Sequence, residues 1–225
     1  MFRTADSLPV IDRPDAAAVC VEVISVGGAD GQGAVVDATA AHRRSRPWPA
    51  ELLSFSCYVS TDGDSVLTYA QWSSREAALN ALREEEDGPQ EGPYLGVEGA
   101  HSLGAVPYRL YRVVRGGAIT EPEPVPECFP AAVFPMPGED AACRWIDDLL
   151  ASEEEVEGEE RAYPGAIAAN FHVGLGDGGV FVLSEWASEK EAAEHIEEVI
   201  QPLLDQAGGG DAGARYTHAL TLTGP

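Results

Sequence analysis

The sequence predicts an α+β protein built from two ferredoxin-like βαββαβ units. Three observations carry this. Residues Leu53 to Ala78 align without a gap on Ile167 to Ala192, setting Trp72 on Trp186. Each aligned stretch reads as two strands around a Gly/Asp turn, followed by a helix start. Each is preceded by a strand and a helix and followed by one more strand. Two copies of one small unit in one chain suggest an internally fused dimer. Any site the unit carries then exists twice, unless one copy has lost it.

The elements follow in order. Val19 to Val26 is β-rich and ends at Gly27-Gly28, a first strand. Gln32 to Arg44 is Ala/Val-rich without breakers until Pro47 and Pro49, a helix. Leu53, Phe55, Cys57 and Val59 alternate with polar residues as a half-buried strand does. Asp62-Gly63 is a tight turn and Val66 to Trp72 the returning strand. Ser73 with Glu76 reads as a capping box for a helix through Arg83. Residues 84–107 are acidic and rich in Gly and Pro, and read as a long loop holding Tyr94 and His101. Tyr108 to Arg115 closes the unit as a strand.

The Glu-Pro-Glu-Pro stretch reads as a stiff linker. The expected division is therefore 1–118, a linker at 119–128, and 129–225. In the second unit Ala131 to Phe134 is a strand. Ala142, Trp145, Ile146, Leu149 and Leu150 make an apolar helical stripe. Glu153 to Glu160 reads as an acidic loop. Ala166 to Val173 and Val180 to Trp186 form the hairpin, and Ser188 with Glu191 is again a capping box. That helix runs on past Ile196 and Ile200, kinking at Pro202, before the strand Tyr216 to Thr223.

The 225 residues carry a formal net charge of −24. Of this, −18 falls on residues 119–225 and −6 on the rest. Such a surface repels phosphate backbones and anionic headgroups, which argues against nucleic acid and membrane as partners. No run reaches the roughly 18 apolar residues that span a bilayer. The start of the chain has no basic and apolar leader. A cytoplasmic protein is expected. Cys20, Cys57, Cys128 and Cys143 lack metal-ligand spacing, and His172, His195 and His218 fall on elements too far apart to share a metal. His195 is expected on the polar side of its helix, and His42 near a helix C-terminus, where its charge favours the dipole.

The stretches Ser60-Thr61-Asp62-Gly63 and Tyr69-Ala70-Gln71-Trp72 resemble the antibiotic biosynthesis monooxygenase (ABM) family. The closest likeness is to its members that oxidise polyketide anthrones to quinones. Specific similarity covers residues 51–82, and the βαββαβ plan covers both halves. The resemblance implies an intramolecular dimeric α/β barrel in tandem-repeat, single-chain form. It implies a ligand cleft between sheet and helices in each unit. It also implies cofactor-independent chemistry, with no metal or flavin, on an aromatic polyketide or phenol and molecular oxygen. Further self-association of the internal pseudo-dimer is left open.

Such chemistry deprotonates the substrate to an electron-rich anion, which reduces oxygen before the two recombine. The protein holds the polycycle, excludes water and stabilises the anion. Trp72 offers a stacking face and an N–H donor. Thr68 stands where the quinone-forming relatives have an Asn, and Val182 stands there in the second unit. Tyr58 and His172 occupy the place of a His in those relatives, the first as an oxyanion donor and the second as a base. The catalytic candidates are thus Trp72, Tyr58 and Thr68, with Tyr69, Gln71, Trp186 and His172 for substrate binding. Two functional readings follow. One is an ABM-like monooxygenase working in the first unit. The other is a non-catalytic barrel that binds a small hydrophobic ligand or serves as an interaction protein.

Overall fold

The computed structural model describes residues 3–5, 8–87, 93–94, 96–116, 124–157, 163–176, 179–206 and 213–224. The chain runs β1 (Arg3–Ala5), β2 (Ala18–Ser25), α1 (Ala29–Ser45), β3 (Leu52–Ser60), β4 (Ser65–Trp72), α2 (Arg75–Asp87) and β5 (His101–Arg115). It continues with β6 (Phe129–Phe134), α3 (Glu139–Glu157), β7 (Ala166–Gly174), β8 (Val180–Trp186) and α4 (Glu189–His195). A π turn (Ile196–Ile200), α5 (Gln201–Gln206) and β9 (Ala214–Thr223) complete it. The α+β class and the two βαββαβ passages are as the sequence predicts. By contact, the chain divides into residues 1–109 with 217–225, and residues 110–216. Strands β5 and β9 each begin in one unit and end in the other, so the compact units and the sequence copies are different divisions of the chain.

In the first unit the strand order is β1-β9-β3-β4-β2-β5. Cross-strand partners lie on one face of an antiparallel sheet, and residues two apart along a strand share that face. Phe55 and Cys57 of β3, Thr68, Ala70 and Trp72 of β4, and Cys20 and Glu22 of β2 therefore face the same way. The helices cover this face. The Arg43 guanidinium of α1 lies 4.6 Å from the centre of the Phe55 ring, and Cys20 Sγ reaches the Ala78 carbonyl of α2 at 4.0 Å. Burial pushes the Cys57 thiol up to about 12, so it behaves as a small core residue. At the β3–β4 turn Gly63 takes φ 89°, and Ser60 Oγ accepts from the amides of Asp64 and Ser65 at 3.1 and 2.9 Å.

In the second unit the order is β5-β7-β8-β6-β9. Ala169 and Phe171 of β7, Val182, Ser184 and Trp186 of β8, and Ala132 and Phe134 of β6 share one face. Helix α3 packs there through Ala142 and Ile146, both fully buried, and Trp145 stands 5.0 Å from the Phe134 ring.

Several boundaries differ from expectation for visible reasons. The cap of α2 is Ser74, whose Oγ accepts from Ala77 N at 3.2 Å, while Ser73 Oγ donates to the Glu51 carbonyl. Ser74 aligns with the capping Ser188, so both copies start this helix at the same place. Strand β5 begins at His101 rather than Tyr108. Its first half pairs with β2 through a bulge between Glu22 and Ile24, and Gly104 and Pro107 disguise it in sequence. Helix α3 continues to Glu157 through residues read as a loop. The short β1, which pairs Arg3–Ala5 with Thr223–Thr221, has no sequence signal. Pro202 does not simply kink its helix. It cannot donate to a preceding carbonyl, and the chain just before it widens into the π turn. The Glu-Pro-Glu-Pro linker lies largely outside the described residues.

Candidate functional site

The second unit holds a cavity of about 780 Å³ on the helix-covered face of its sheet. Its existence follows from small residues. Ala166 and Ala169 of β7 and Ala132 of β6 floor it, where a sheet under helices ordinarily carries larger side chains. The aligned positions of the first copy carry Leu52 and Phe55 on β3. Register places Glu22 of β2 opposite Thr68 as Ala132 of β6 is opposite Val182. There Arg43 covers Phe55, and Glu22 accepts from Tyr94 OH at 2.6 Å and Ser102 Oγ at 2.5 Å. The same scaffold is thus filled by larger groups at these points in one copy and left open in the other.

The rest of the wall is mostly apolar. Trp145, Leu149 and Leu150 of α3 close one side, and Ile196, Ile200 and Leu204 close another. Trp186, 5% exposed, ends β8 with its ring at the cavity. His195, the last residue of α4, sits between two aromatics. Its ring centre is 4.9 Å from Trp186 at 36° and 4.3 Å from Tyr163 at 63°. This corrects the expectation of a solvent-side His195. It lies three residues after the buried Ala192 and next to Ile196, so helical spacing already set it toward the apolar side. Arg115, from the end of β5, also borders the cavity. Neighbouring Gly116 packs against β7 so closely that a Cβ there would run into the Ala166 carbonyl.

The residues singled out from sequence fall on opposite faces. Thr68, 5% exposed, and Trp72 are on the helix-covered face of the first unit. Trp72 Nε1 is buried with no hydrogen-bond partner among the described residues. Tyr58, Tyr69 and Gln71 are on the other face, all fully buried. Tyr58 meets His218 edge-on at 5.7 Å. His218 Nε2 is 2.7 Å from Thr221 Oγ1, which is 2.9 Å from Ser56 Oγ. Gln71 Nε2 donates to the carbonyls of Val10 and Ile11 at 3.0 and 3.1 Å, and its Oε1 accepts from Ser54 Oγ at 2.6 Å. That clamp ties the segment before β2 to the sheet. Gln71→Leu is expected to strand two buried polar groups, the Ile11 carbonyl and Ser54 Oγ, and cost about 2 kcal/mol or more. A urea midpoint unchanged from wild type would contradict it.

In the second unit His172 is likewise on the face away from the cavity, with Asn170. Its Nδ1 lies 3.2 Å from the Phe181 carbonyl, and burial holds its pKa down to about 4. Of the seven residues, only Trp186 reaches this cavity. Among the described residues no group of three or more His, Cys, Asp or Glu is placed to hold a metal ion. No helix among them is long and apolar enough to cross a membrane.

No protein-family model and no curated protein matches the chain. Solved structures do. An anthrone oxidase-like protein matches at a TM-score of 0.65 with 14% identity, covering 98% of this chain and 95% of that one. A monooxygenase from the ActVA-Orf6 gene of Streptomyces coelicolor, in complex with nanaomycin D, is 23% identical over 41% of this chain and 90% of its own, with a TM-score of 0.31. A monooxygenase-like protein from Listeria innocua is 10% identical, covering 91% of this chain and 95% of its own, at 0.43. The first shows a shared fold.

Proposed function

We propose that the cavity of the second unit binds a flat polycyclic phenol or anthrone and that the chain oxidises it with molecular oxygen, without a cofactor, as ABM-type oxygenases do. One observation carries this reading: a cavity of about 780 Å³ whose mostly apolar wall includes both Trp186 and His195. That volume is in the range of pockets that enclose a whole small ligand. The shared fold with an anthrone oxidase-like protein agrees with it.

The net conversion is a ring methylene and O2 giving a ring carbonyl and water. Loss of a proton leaves an electron-rich anion, which passes one electron to oxygen. The two radicals join at carbon, and the O–O bond breaks with release of water. The chain is asked to hold the ring system flat, stabilise the anion and keep water out. Trp186 supplies a stacking face for a planar ligand. Trp72 and Thr68 of the first copy, with Tyr58, Tyr69, Gln71 and His172 behind the sheets, rank below it.

Oxygen uptake by metal- and flavin-free protein offered a panel of anthrones tests this. Trp186→Phe is expected to lower the rate about tenfold through weaker stacking and a lost donor, whereas Trp72→Phe leaves it near wild type. Uptake no faster than the spontaneous rate would remove the oxygenase and leave a binding protein. Dependence on Trp72 alone would move the site to the first unit.

A further inference from the structure

We infer that His195 is the proton acceptor of this cavity, taking the phenolic or methylene proton of the bound polycycle onto its imidazole. The inference rests on the reading above and deepens it, because anion formation requires a base and the wall offers few groups. Among the described residues of the cavity wall only Arg115, Tyr163 and His195 titrate. A guanidinium stays protonated, and a phenol is itself an acid near pH 10, so neither accepts a proton near neutral pH. Imidazole does.

The groups around His195 leave it that role. Cys128, packed with Trp186 and Ala192, has its thiol pushed up to about 11 by burial and stays protonated. Glu191, one turn earlier on α4, accepts from Ser188 Oγ at 2.8 Å in the helix cap. Glu197 and Glu198 of the π turn are exposed. Tyr163 and Trp186 hold the ring between them, which fixes its plane as a base needs. The balance closes: the substrate proton moves to His195, the electron pair stays on the substrate, and the same proton leaves with water after the O–O bond breaks. His195 is thereby placed at the reacting end of the cavity, beside the ring of Trp186.

Alizarin, a hydroxyanthraquinone whose phenolate absorbs at longer wavelength than its phenol, reads this step without turnover. Its absorbance is followed from about pH 5 to 9, across the imidazole range, on wild type, His195→Gln and the cavity-filled Ala166→Leu/Ala169→Phe variant. The expected result is a bound phenol at least about ten times more ionised on wild type than on His195→Gln at neutral pH, with both binding it within about threefold. Equal ionisation on the two proteins overturns the role of His195 and leaves the cavity reading standing. No binding to wild type, or equal binding to the filled variant, overturns both. If His195→Gln does not fold, the imidazole carbon resonances of wild type decide. They must move to the protonated form on alizarin binding, and their standing still overturns the proposal.

Discussion

Rebuilding the first copy's wall in the second closes the cavity. Ala166→Leu with Ala169→Phe introduces the residues that stand at the aligned positions Leu52 and Phe55. Both alanines border the cavity, and Phe55 is accommodated on the same strand position of the same motif, under a helix. The change fills open space rather than a packed core, so overpacking is avoided and lost dispersion contacts are regained. Affinity for anthrones and hydroxyanthraquinones is expected to fall at least about a hundredfold, near 3 kcal/mol, because a rigid polycycle cannot bend around a new ring. The melting temperature is expected to hold or rise. Titration of intrinsic tryptophan fluorescence, with Trp145 and Trp186 at the cavity, reads the affinity. A double variant that binds like wild type would place the ligand elsewhere.

That pair of alanines also marks the limit of what the sequence says. The internal alignment reports the shared skeleton, since Trp72 and Trp186, or Ser74 and Ser188, serve the same local needs in both copies. Strand periodicity separates Thr68 and Trp72 from Tyr58 and Gln71, but β3 is not half-buried as its alternation predicts: Ser54, Ser56 and Tyr58, on its polar side, are as buried as Phe55 and Cys57. A cavity, however, is a deficit of volume, and no residue announces it. Only comparing the two copies position by position, Phe55 against Ala169 and Leu52 against Ala166, locates it. The polarity of His195 points it to solvent, whereas its place next to Ile196 sets it on the apolar side. Tyr163 sits outside any periodic element and approaches His195 only through the fold. Gln71 belongs to a legible motif, yet its partners, Val10 and Ile11, lie about 60 residues away in a segment without pattern.

The second large effect is acid lability. His172 is fully buried, its ring is 5.4 Å from Phe181, and burial sets its pKa at about 4 against 6.5 for a free imidazole. Its Nδ1–H donates to the Phe181 carbonyl, which fixes the neutral tautomer. Between those two values the unfolded chain binds the proton and the folded chain does not. Stability therefore rises with pH across the window. The contribution is whole above about pH 6.5, declines as the pH falls, and is gone below about 4. A gap of 2.5 between the two values corresponds to about 3 kcal/mol. His218, half-buried, is depressed in the same direction chiefly by burial and adds to the same trend. Unfolding free energies from urea titrations at about pH 7.5 and 4.5 are expected to differ by about 2 to 3 kcal/mol in wild type, most of that gap. The difference should shrink to the residue left by His218 in His172→Asn. A pH slope as steep in the variant as in wild type would assign the acid sensitivity to some other group.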